Sequence, residues 1–161
     1  MTAPAIVRPI PAPVPEGQDA QLRERLAGPA PGPMGERLVL LHFRGRRTGR
    51  DLEVIAGLHR LGDGLFIATG SRWRHNFAGG AHAAMTWRGR RRPVELRLVD
   101  SFDRTVAGYT HLINEYGRAG AERRLGITIN VDRAPTDEEV RDAVRRCGLS
   151  LVEVRLEEES V

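Results

Sequence analysis

Apolar residues fall in short runs through the middle of the chain and in helical spacing towards its end. Leu38–Phe43 is an apolar run interrupted only by His42, and Leu52–Arg60, Leu65–Thr69, Ala84–Arg88 and Arg91–Val99 follow with glycine-containing turns between them. Short runs punctuated in this way read as strands. In Arg91–Val99, Val94, Leu96 and Leu98 alternate with Glu95 and Arg97, the period of a half-buried strand, and Gly89-Arg90 marks a hairpin. The pattern then changes. After Asp100-Ser101, either of which can cap a helix, Val106, Tyr109, Leu112, Ile113 and Tyr116 recur at spacings of three and four, with Gly117 as the expected stop. A second helix is announced by the capping box Thr136/Glu139 and carries Val140, Ala143, Val144 and Cys147 on its apolar face. Gly148 ends it, and Leu149–Leu156 reads as a last strand. Antiparallel strands, one or two helices and a closing strand predict a mainly β, α+β fold: a small antiparallel barrel with helices packed on its outside.

The first 33 residues differ. They hold eight of the ten prolines and few large apolar side chains, so 1–33 is expected to be an extended arm with at most a short helical turn near Asp19–Leu26, and 34–161 a single domain. A chain of 161 residues, 40% hydrophobic and 29% charged, can build one ordinary core. No apolar stretch approaches the ~20 residues of a membrane span. The prolines interrupt any signal-peptide pattern, and the single Cys147 excludes an internal disulfide framework, so a soluble cytoplasmic protein is expected.

All 25 basic residues are arginine, which explains a pI near 10.4 at a formal charge of only +4. An arginine-only set follows more simply from coding bias than from function. With an aromatic fraction of 5% and no reading-helix motif, the charge does not argue for a nucleic-acid partner.

The chemistry concentrates in two places. The first is the turn Gly45-Arg46-Arg47-Thr48-Gly49-Arg50 after the Leu38–Phe43 strand, where glycines allow close backbone approach and guanidinium groups offer bidentate donors. It reads either as a solvated hairpin loop or as an anion cradle. The second is Thr69-Gly70-Ser71-Arg72-Trp73-Arg74-His75-Asn76-Phe77. If helical, Trp73, Asn76 and Phe77 share a face suited to covering an aromatic ring. Otherwise Trp73 and Phe77 plug the core and Asn76 caps a backbone group.

In this order the two elements resemble the deazaflavin-dependent nitroreductase family, split β-barrel proteins that bind coenzyme F420. Gly45–Gly49 is similar to that family's Gly-Arg-Lys-Thr-Gly turn, and Trp73, His75, Asn76 and Phe77 to its Trp-Tyr-His-Asn-Leu element; the resemblance covers roughly residues 36–100. It implies a split barrel in which Arg46, Arg47, Thr48 and Gly49 hold the coenzyme's phosphate and acidic tail. Thr69, Gly70 and Ser71 would approach it through backbone groups, and Trp73 and Asn76 would build the pocket wall. It also implies hydride transfer to a small aromatic or quinone-like acceptor, and a homodimer through the exposed sheet. The loop before Trp73 is shorter than the family's. That keeps open a non-redox small-molecule-binding or cofactor-free protein on the same barrel, and a barrel holding flavin mononucleotide (FMN).

Elsewhere the residues carry less. His42, His59, His75, His82 and His111 lack metal-ligand spacing, so no metal is expected. No nucleophile elbow or Cys/His pairing is present, and the catalytic residues stay unassigned. Tyr109 and Tyr116, seven apart, are expected in the core, His111 in solvent, and Arg88, Arg90, Arg91 and Arg92 on a charged turn.

Overall fold

The computed structural model describes residues 4–8 and 18–157. Its elements run β1 (Ile6–Val7), α1 (Gln18–Ala27), α2 (Met34–Arg37), β2 (Leu38–Arg44), β3 (Asp51–Leu61) and β4 (Gly64–Thr69). A 3-10 helix, Arg72–Phe77, leads to β5 (Ala81–Trp87), β6 (Arg90–Leu98), α3 (Phe102–Leu125), β7 (Thr128–Ile129), α4 (Asp137–Cys147) and β8 (Ser150–Leu156). Six of the strands close an antiparallel barrel in the order β2-β3-β4-β8-β6-β5, with the long helices outside it. This is the barrel architecture the sequence predicts. β8 enters between β4 and β6, pairing Ile67 with Val152 on one side and Leu98 with Val152 on the other.

Two apolar clusters divide the interior. Val39, Leu41, Phe43, Ile67, Met85, Val94, Leu96, Val152 and Val154 fill the barrel. Tyr109, Leu112, Val140, Ala143, Leu149 and Leu151 lie between the barrel wall and α3–α4. β8 serves both, with Leu151 facing the helices and Val152 the barrel. That is why its apolar residues do not follow a simple alternation. Gly108 lets α3 sit against the wall, since a Cβ there would stand 2.5 Å from Leu151 Cδ1.

The helix boundaries follow local chemistry. Ser101 Oγ accepts from Arg104 N to start α3. Thr136 and Glu139 form the capping box of α4, which ends at Gly148 in the left-handed region. Gly117 breaks the backbone of α3 (φ 71°, ψ 175°), but helix resumes beyond it, so it is a kink rather than the expected stop. The hairpin between β5 and β6 turns at Arg88-Gly89, one residue earlier than expected, and both residues have positive φ. Gly89 is required twice over, because a Cβ there would lie 2.5 Å from Gly28 O at the end of α1.

Within the segment read as an extended arm, Ile6–Val7 pairs with Thr128–Ile129 and Gln18–Ala27 is a ten-residue helix with Leu26 buried against the barrel. The proline-rich stretch 9–17 lies outside the described residues.

Candidate functional site

β2 and β3 pair in register up to Arg44 and Asp51, which leaves Gly45–Arg50 as a closed turn. Gly45 N donates to Arg50 O (2.8 Å), Gly49 N to Gly45 O (2.8 Å), and Arg50 N to Thr48 Oγ1 (3.2 Å). The tucked Thr48 hydroxyl would lie 2.9 Å from a Cβ on residue 45, so glycine is needed there, and Gly49 takes φ +68°. Arg44 is held by Asp51. The Arg46 amide donates to Asn76 Oδ1 (2.7 Å) and its guanidinium to Ala78 O (3.0 Å). Among the described residues, the amides of Arg47 and Thr48 have no acceptor, and the exposed guanidinium groups of Arg47 and Arg50 have no partner.

The 3-10 helix is tied to both sequence motifs. Asn76 bridges from Arg46 N to Trp73 O (2.8 Å), so its amide is spent on backbone groups. Phe77 is buried in the barrel cluster with its ring centroid 5.1 Å from that of Phe43, and Trp73 packs against both rings at 6.0 Å. Arg74 Nη1 donates to Gly70 O (2.7 Å) and Ser71 O (2.9 Å), while Thr69 Oγ1 accepts from Ser71 N (3.0 Å). Arg8 also donates to Gly70 O (3.0 Å), and a Cβ on Gly70 would lie 2.7 Å from the Arg8 guanidinium. Burial and, after it, the adjacent Arg8 charge lower the Arg74 pKa. The arginine turn and the Trp73–Phe77 element are thus brought together through Asn76. Thr69-Gly70-Ser71 is linked to the same helix through Arg74 and lies beneath Arg8.

One neighbouring group was not singled out from the sequence. His42 Nε2 lies 2.8 Å from Thr86 Oγ1, and its Nδ1 lies 3.2 Å from Glu53 Oε2, while Arg23 engages Glu53 Oε1 at 2.9 Å. Burial first, and then the Arg91 charge, lower the His42 pKa, partly offset by Glu53. This group borders a cavity of about 420 Å³ that reaches Phe43, Arg44, Asp51 and Leu52 at the root of the arginine turn. The signal was available in the register: once the hairpin closes on Gly45–Arg50, His42 falls opposite Glu53.

No family model matches the chain, and no curated protein matches it. Among solved structures it is similar to the FAD and heme binding protein from Mycobacterium smegmatis. The identity there is 17% and the TM-score 0.41, over 96% of this chain and 74% of that one. It is also similar to HutZ, the heme storage protein from Vibrio cholerae (12%, TM-score 0.42, 88% and 91%). A third is a putative 5-nitroimidazole antibiotic resistance protein from Bacteroides thetaiotaomicron (7%, TM-score 0.39, 88% and 81%). Likeness at this level says nothing about what this chain binds. None of the described helices is long and apolar enough to cross a membrane.

Proposed function

We propose that this chain is a deazaflavin-dependent oxidoreductase whose arginine turn grips the phosphate and acidic tail of coenzyme F420. The acceptor of the hydride is a small aromatic or quinone-like molecule. One observation carries the grip: the successive amides of Arg47 and Thr48 lack protein acceptors beside two unpartnered guanidinium groups, on a turn that Asn76 holds in place. Successive free amides form an anion-binding concavity, and guanidinium groups match phosphate oxygens in pairs. In this reading Arg47 supplies charge, Thr48 its amide, Gly49 the left-handed backbone that shapes the cradle, and Arg46 the anchor to Ala78. Asn76 and Trp73 are positioning residues: Asn76 fixes the turn, and Trp73 packs behind it on Phe43. The cavity beside His42 and Arg91 offers space adjoining the turn for the rest of a ligand.

The redox part of the proposal rests on the sequence resemblance. The hydride chemistry belongs to the coenzyme when bound, and the chain's residues bind and orient it. At Thr69, Gly70 and Ser71 the fit is poorer, because Arg8 stands over Gly70 and backbone contact there needs the Ile6–Arg8 segment to give way. That same contact favours a second reading, a non-redox small-molecule binder on this barrel. FMN, a shorter phosphate-bearing flavin, would use the same turn. A homodimer is part of the main reading, checked by light scattering.

Titration with F420, FMN and haem, followed by fluorescence and absorbance, tests the proposal. Micromolar binding of F420 is expected. Arg47→Ala with Arg50→Ala should weaken it about ten- to a hundred-fold, the worth of one or two charge-assisted hydrogen bonds. Binding of FMN in place of F420 transfers the site to a flavin. A folded protein that binds none of the three leaves the non-redox reading.

A further inference from the structure

Arg104, Ala107, Gly108 and His111 follow one another on α3 at intervals of three and four, so they form a single stripe about 10 Å long. Between the two basic residues of that stripe stand only a methyl group and a hydrogen. The apolar side chains beneath are left without a cover. Leu61, Phe66 and Val99 belong to the cluster between the barrel wall and the helices, yet all three are only partly buried. With Leu151 they floor a groove of about 330 Å³ that runs beside Ala107 and Gly108.

The walls are fixed by close packing. A Cβ at residue 108 would lie 2.5 Å from Leu151 Cδ1 and 3.2 Å from Leu61 Cδ1, so α3 is seated directly on the floor. Across the groove Phe66 folds back over Gly64, where a Cβ would stand 2.7 Å from its Cε2. No carboxylate is among the lining residues. Arg104, at one end, has Glu153 Oε2 at 3.7 Å, too far for a hydrogen bond, and Arg155 holds the same carboxylate at 2.7 Å. The Arg104 guanidinium makes no hydrogen bond among the described residues. His111, at the other end, pairs along its own helix with Glu115 (3.4 Å).

We propose that this groove is a second binding site, for a medium-chain aliphatic carboxylate whose chain lies on the apolar floor and whose head group pairs with Arg104. The volume falls at the low end of small-molecule sites, roughly 300–1,000 Å³. A stripe two helical turns long matches an extended chain better than a single ring. Burying that chain covers the apolar surface that Ala107 and Gly108 leave open. Charge selects the head group, because the guanidinium fork of Arg104 fits the two oxygens of a carboxylate. Phosphate fits poorly, since one exposed guanidinium and an apolar floor cannot replace the hydration of a dianion. None of the residues assigned to the coenzyme lines this groove, so the two proposals stand or fall separately.

The test is a titration of the full chain with sodium octanoate, followed through the methyl resonances of Leu61, Val99 and Leu151. Octanoate is expected to shift them with a Kd of about 1 mM, in line with a ligand of this size. Octylammonium, the same chain with the opposite charge, should leave them in place. Ala107→Leu puts a larger side chain at an exposed helical position that favours leucine, so it should keep the melting temperature and abolish the response. Arg104→Gln leaves the backbone amide on Ser101 Oγ and should weaken octanoate about ten-fold, the worth of a hydrogen bond to a charged group. The proposal is overturned if octanoate leaves these methyl groups unmoved at about 20 times the expected Kd. An unchanged response in Ala107→Leu or in Arg104→Gln overturns it too. So does octylammonium binding as tightly as octanoate.

Discussion

The arginine turn and a cavity of about 280 Å³ bordered by His59, Arg37, Arg123 and Arg124 both present cationic groups, but they are built in opposite ways. The turn is six consecutive residues in solvent, shaped by two glycines and one threonine hydroxyl and pinned by Asn76. The cavity draws on α2, the start of β2, the middle of β3 and the part of α3 beyond its kink, and the His59 ring on its wall is buried. An exposed cradle costs the fold little and can be altered freely. A buried imidazole is coupled to stability, so the region around His59 should report on folding where the turn does not.

The largest expected expression of that difference is with pH. The His59 pKa is about 4 in the folded state against 6.5 unfolded, so the unfolded chain takes up its proton first. Stability is full above pH 6.5 and falls as pH drops towards 4, by about 3 kcal/mol across that window, and is flat in this term below it. Urea denaturation at stepped pH should show the loss. His42 shifts in the same direction, so the comparison with His59→Gln isolates the His59 part, and an unchanged slope in that variant would break the contrast.

Tyr116→Phe comes next. It removes the hydroxyl that pairs with His59 Nδ1 and should cost about 2 kcal/mol, as for a buried donor or acceptor left unsatisfied. The same substitution should change the tautomer signature of His59 in ring ¹⁵N spectra. On the other side, Asn76→Ala removes the acceptor for Arg46 N and the donor to Trp73 O, at about 1–2 kcal/mol by denaturation. Arg47→Ala with Arg50→Ala should leave stability within about 0.5 kcal/mol, because neither side chain has a partner to lose. A large drop in melting temperature for that pair would erase the distinction between the two regions.

The same contrast explains what the sequence disclosed. Elements set by neighbours along the chain were legible: the glycine-bounded strands, the Thr136/Glu139 capping box, the arginine turn. Asn76 was readable as a backbone cap, and the structure gives it that place, with the Arg46 amide as its target. The hairpin at Arg88-Gly89 was misplaced by one residue because positive φ is unusual for arginine, and the close passage of Gly28 O that fixes Gly89 is a long-range fact. Tyr116 was read as core from its spacing to Tyr109. Tyr109 is core, with its hydroxyl on Ser150 O, whereas Tyr116 packs at the edge and turns its hydroxyl to His59. Spacing along a helix cannot foresee a partner 57 residues away. Nor could composition show that Arg8 would cover Gly70.

The placement of β8 has a consequence for how the chain reaches its native state. Leu65 on β4 waits for Val154, and Val94 on β6 for Leu156. Until those partners arrive, two strands expose open edges, the feature that invites pairing with other chains. Contacts so distant in sequence also slow folding. Assembly of the barrel therefore completes late, and the interval before β8 docks is when this protein is most exposed to aggregation.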